Sequence, residues 1–134
     1  MPLTARRLPS VDADSFNVEL EDDEGFIRDR ASKGAFREIV QNLRAPLRKL
    51  GADPLGEDAS EDLGKQKLDD LLARGDPEAA GVVQAAIEEF SQVLALVIRR
   101  LLKLKGWRDA ERIVVGGGFR ASRVGDLAIG RTSF

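Results

Sequence analysis

The stretch "DPEAAGVVQAAIEEFSQVLALVIRRLLKLK", residues 76–105, limits what this chain can fold into more than any other. Val82, Val83, Ala86, Ile87, Phe90, Val93, Leu94, Val97, Ile98 and Leu101 recur at helical spacing and form one wide apolar stripe. Glu88, Glu89, Gln92, Arg99 and Arg100 fall on the opposite face. The start is equally marked. Asp76 is a good N-cap, Pro77 sits where a missing N–H costs nothing, and Glu78 meets the positive helix end. A helix over residues 77–105 spans about 43 Å at 1.5 Å per residue. A compact domain of 134 residues is about that wide, so the helix is expected at its centre or along an interface. The expected fold class is α+β and helix-dominated: a long central amphipathic helix with one or two short strands.

The remaining elements follow from pattern and punctuation. Residues 1–15, with Pro2 and Pro9, are expected to be a flexible arm, and residues 16–134 a single α-rich domain. Phe16, Val18 and Leu20 alternate with Asn17 and Glu19, which predicts a short strand with one buried face. "EDDEG" reads as an acidic turn, with Phe26 and Ile27 packing behind it. Phe36, Ile39, Val40, Leu43, Leu47 and Leu50 predict a helix from near Ser32, kinked or broken near Arg44 and Ala45 by Pro46, and stopped at Gly51. Ser60, followed by Glu61 and Asp62, predicts the cap of a further helix that ends at Gly75, with Leu63, Leu68, Leu71 and Leu72 on its apolar side. Beyond the long helix, Gly106 and Trp107 mark a break. Arg112, Ile113, Val114 and Val115 form a β-branched run expected to pair as a strand with residues 16–20. Ala121 to Ile129 predict a last helix capped by Ser122, with Val124, Leu127 and Ala128 on one side.

Composition excludes several chemistries. The chain has no histidine and no cysteine, which removes disulfides, Cys/His metal sites, a cysteine nucleophile and a histidine base. Net charge is −2, against the basic balance of a general nucleic-acid binder. "MPLTARRLPS" holds no apolar core of a secretory signal. The dense apolar stretch at residues 93–104 is broken by Arg99, Arg100 and Lys103, and is shorter than the roughly 20 residues of a membrane span. A cytoplasmic protein without nucleic-acid or membrane partners is expected.

The segment "RIVVGGGFRASR" draws most attention. A strand, a glycine turn and a helix, in that order, point backbone N–H groups and a helix N-terminus at an anion. Gly116, Gly117 and Gly118 have no Cβ to block a phosphate, and Arg120 and Arg123 stand beside them. The spacing matches neither GxGxxG nor GxxxxGK[ST], and a plain structural turn explains the same residues. The acidic cluster Glu19, Glu21, Asp22, Asp23 and Glu24 has no EF-hand spacing and reads as a solvated turn. Lys33, Lys65 and Lys67 lack a partner motif, and Trp107 reads as a packing anchor.

A long amphipathic helix, a linker, "RIVVGGGF" and a further helix together resemble the adenosine-motif region of the ROK family (repressors, open reading frames and kinases), which are actin-like sugar kinases. Residues 76–131 carry the resemblance. "SKGAFREIVQNLRAPLRKLGADPLG" is similar to part of longer bacterial ROK-like proteins. The resemblance implies that Gly116, Gly117 and Gly118 face the adenine, ribose or α-phosphate of ATP or ADP. It implies nothing catalytic. The family's phosphate-binding DxGGT motif and its sugar-activating Asp have no counterpart here, and its Cys/His zinc motif cannot be built. Phosphoryl transfer needs Mg²⁺ ligands and a group that positions the acceptor. An actin-like kinase has two lobes, and 134 residues supply part of one. The expected protein is therefore a non-catalytic or incomplete ROK-like domain that works with a partner chain or as a homo-oligomer. The alternative is a helical interaction or scaffold module whose glycines only turn the chain. An in-frame DxGGT downstream of Phe134 would instead mark the chain as part of a longer protein.

Overall fold

The computed structural model describes residues 7–8, 11–12, 21–23 and 25–133. Four helices dominate them: α1 (Lys33–Lys49), α2 (Lys65–Arg74), α3 (Pro77–Leu102) and α4 (Arg123–Gly130). Strands are minimal. β1 (Arg7–Leu8) pairs antiparallel with β2 (Val11–Asp12), and β3 (Glu21–Asp22) with β4 (Gly25–Phe26). The expected strand at residues 16–20 lies outside the described residues, as does most of the expected arm.

α3 is the axis on which the rest is built. It is 26 residues long, about 39 Å. Asp76 caps it by accepting from the Ala79 N–H at 2.9 Å, with Pro77 in its first turn. Ala79, Val83, Ala86, Ile87 and Phe90 are almost wholly buried, and α1, α2 and α4 all pack against α3. Buried core atoms gain both dispersion contacts and removal from water, so this stripe contributes strongly to stability. α3 is long and apolar enough to cross a membrane by length and composition, and half of its apolar window is buried against the other helices. The qualifying window is longer than the stretch at residues 93–104 because it includes the alanine- and valine-rich N-terminal turns.

Three expectations change. α1 is continuous through Pro46, which lies in its last turns, where only one helical hydrogen bond is lost before the helix ends. Ser60 caps no helix. It starts a short 3₁₀ turn, Ser60–Asp62, and α2 begins only after Gly64. Residues 112–115 form no strand: from 111 to 117 the chain makes no backbone hydrogen bond to any described residue.

Ser60 is diverted by Arg44. The Arg44 side chain is completely buried. Its Nε donates to both Asp53 carboxylate oxygens at 3.2 and 2.9 Å, and its two terminal nitrogens donate to Ser60 Oγ at 3.0 Å and the Gly56 carbonyl at 3.1 Å. Ser60 Oγ in turn donates to Gln41 Oε1 at 2.8 Å. Arg48 adds a bond from its Nε to Asp53 at 2.7 Å. One buried guanidinium thus ties the whole connection between α1 and α2 to the core. Burial alone would raise the Asp53 carboxyl, but the hydrogen bond from Arg48, the Leu55 N–H and Arg44 outweigh it and hold the group below the ordinary aspartate range. A depressed folded value means that the ionised form stabilises the fold above about pH 4 and that this contribution disappears as pH falls through the folded value. Urea midpoints compared from pH 6 down to 3 should fall more steeply for the wild type than for Asp53→Asn; parallel profiles would contradict this assignment.

Candidate functional site

The glycine run is held firmly on one side and open on the other. On the held side, residues Gly118–Ala121 make a 3₁₀ turn that packs the half-buried Phe119 against the core. The Phe119 ring centroid lies 5.1 Å from Phe36 and 5.3 Å from Phe90, and those two rings lie 5.7 Å apart in an edge contact. Ser122 is the cap the sequence predicts for α4, with its Oγ accepting from the Gly125 N–H at 2.9 Å. It also donates to the Phe119 carbonyl at 2.8 Å. Gly125 allows the tight passage from turn to helix, because a Cβ there would collide with the Phe119 carbonyl.

α4 is fastened further from a distance. Asp69 on α2 accepts from the Arg123 N–H at 3.0 Å and from the Val124 N–H at 2.8 Å. The first-turn donors of α4 are therefore engaged by an internal carboxylate and a hydroxyl. The α4 N-terminus, which the strand–turn–helix order assigns to an incoming anion, already carries one from its own chain. By contrast, α2 starts at Gly64 with no side-chain cap and no acid in its first turn.

On the open side stand Gly116, Gly117 and Gly118, all exposed. Gly117 adopts φ +99°, a left-handed conformation that disfavours side chains. A Cβ on Gly116 or Gly117 would meet nothing within 4 Å, so the turn faces open space. At Gly118 the nearest neighbour is the Lys65 ammonium, 3.9 Å from where a Cβ would stand. Arg120 is exposed and forms no hydrogen bond or ion pair with a described residue. The turn thus gathers backbone donors without a partner among the described residues and two cations, Lys65 and Arg120. No protein-family model, curated protein or solved structure matches the chain.

The other sequence candidates have other partners. Asp22 of the acidic turn binds Arg30 and Arg100, the latter at 2.6 Å, so it ties the β3–β4 hairpin to α3. No group of acidic side chains able to hold a metal ion occurs among the described residues. Trp107 lies half-buried in a turn, its N–H donating to the Leu104 carbonyl at 2.9 Å. Lys65 and Asp69 carry no motif in the sequence. Only their one-turn spacing on α2 places them on a common face, and contact with a segment some fifty residues later is not written in any local pattern. A separate groove of about 570 Å³ lies along α1, lined by Arg37, Glu38, Gln41, Arg48, Ser60 and Glu61. The Arg37 Nε is buried there without a hydrogen-bond partner. Opposite charges on the same walls give this groove no net sign.

Proposed function

We propose that the chain is a non-catalytic or incomplete ROK-like domain, part of one actin-like lobe, that keeps a single nucleotide-contacting loop at Gly116, Gly117 and Gly118 with Arg120 beside it. The observation that carries this reading is the open face of the glycine turn. Its donors have no partner among the described residues, no described side chain blocks approach, and Phe119, Ser122 and Asp69 hold it in place from behind. A loop fixed from one side and empty on the other loses little entropy when a ligand arrives. Binding here is weak, because the α4 N-terminus is occupied by Asp69. The domain acts in the cytoplasm, beside a partner chain or as a homo-oligomer. Titration of ¹⁵N-labelled protein with ATP should shift the amides of residues 116–118 and the following turn at millimolar nucleotide. An unchanged spectrum at that concentration would sink the reading.

A second reading has its own support. Val114 is 91% exposed and Ile113 42%, an unusual display of β-branched side chains on a segment without backbone partners among the described residues. An interaction or scaffold module accounts for that exposure directly. It predicts no ATP response and a concentration-dependent change in sedimentation.

A further inference from the structure

We propose that Lys65 is the phosphate-binding residue of the glycine turn, so that the ligand class is a phosphate-bearing nucleotide rather than a nucleoside. This rests on the nucleotide reading above. Three observations converge on it. Lys65 places its ammonium against Gly118, and it forms no hydrogen bond or ion pair with any described residue. Asp69, one turn further along α2, binds the first two amides of α4 and so fixes α2 against the turn. The face of α2 that carries Asp69 therefore also carries Lys65 to the glycines. Finally, Asp69 has already neutralised the α4 N-terminus, so positive charge for a phosphate must come from a side chain. Arg120 follows Gly118 within the 3₁₀ segment, whereas the Lys65 ammonium lies beside Gly118, 3.9 Å from where a Cβ would stand.

The chemistry suits a phosphate. A lysine ammonium is a compact point charge with three rotatable donors, and it meets a phosphate oxygen without a fixed geometry. Backbone amides of a glycine turn can add further donors to the same phosphate. A neutral nucleoside gains nothing from the ammonium, so Lys65 separates phosphorylated from unphosphorylated ligands.

The test uses the full chain, wild type, Lys65→Gln and Lys65→Arg, with adenosine, ADP and inorganic pyrophosphate as probes followed by amide shifts. Lys65 is exposed on the first residue of α2, so matched thermal midpoints are expected for all three proteins. In the wild type, ADP should bind about tenfold more tightly than adenosine, with the gain shrinking as salt rises. Lys65→Gln should lose that gain and leave adenosine binding unchanged, and Lys65→Arg should restore part of it. An ADP gain that survives Lys65→Gln overturns the assignment while the nucleotide reading stands. Pyrophosphate binding that depends on Lys65, without any response to adenosine, supports the phosphate role and overturns the nucleotide reading. No binding of any probe by the wild type overturns both.

Discussion

Arg44→Met is expected to lower the stability of the chain by about 3–5 kcal/mol, measured by urea unfolding. The guanidinium is fully buried, and its removal takes a donor from three acceptors at once: Asp53, Ser60 Oγ and the Gly56 carbonyl. Methionine fills much of the volume and supplies none of the donors. The carboxylate of Asp53, itself only 7% exposed, would keep Arg48 as its one cationic partner. A buried charge that loses a partner costs more than the pair contributed. Double replacement, Arg44→Met with Asp53→Leu, should therefore recover part of the loss, since no ion is left behind. A loss below about 1 kcal/mol for the single variant, the scale of an exposed pair, would show that the network is peripheral.

Phe90→Ala is expected to cost about as much, roughly 3–5 kcal/mol, with a distinct local signature. Phe90 is 1% exposed and lies at the meeting of α3, α1 and the turn behind the glycines. The cavity would adjoin Phe36 and leave Phe119 with one aromatic partner in place of two. Amide hydrogen exchange should accelerate first at residues 118–128, ahead of the α1–α3 contacts. Uniform acceleration along the chain would argue that Phe119 does not anchor the turn.

What could be read in advance was whatever the chain settles locally. Asp76 and Pro77 start α3 where a cap and a first-turn proline must, and Ser122 caps α4 by bonding an amide three residues on. Gly75 closes α2 as expected. Ser60 carried the same local signature as those caps and yet caps nothing, because Arg44 and Gln41, far back in sequence, take its hydroxyl. Residues 112–115 have strand propensity without a strand, since a ladder needs a second chain segment and none pairs with them among the described residues. A turn does form at the glycines, though without the strand expected before it. What surrounds it was invisible. Asp69 and Lys65 arrive through the packing of α2 against α4, and the carboxylate changes the electrostatics that a strand–turn–helix order alone implies.

The stretch from Glu111 to Gly117, which makes no backbone hydrogen bond to a described residue, has one more effect. Such a stretch would act as a tether, and α4 with its preceding turn as a peptide held at high local concentration. Their docking through Phe119, Val124, Ala128 and the Asp69 clasp is expected to behave as an intramolecular binding equilibrium. Since the glycines sit at the junction of tether and ligand, whatever binds to them also reports on whether α4 is docked.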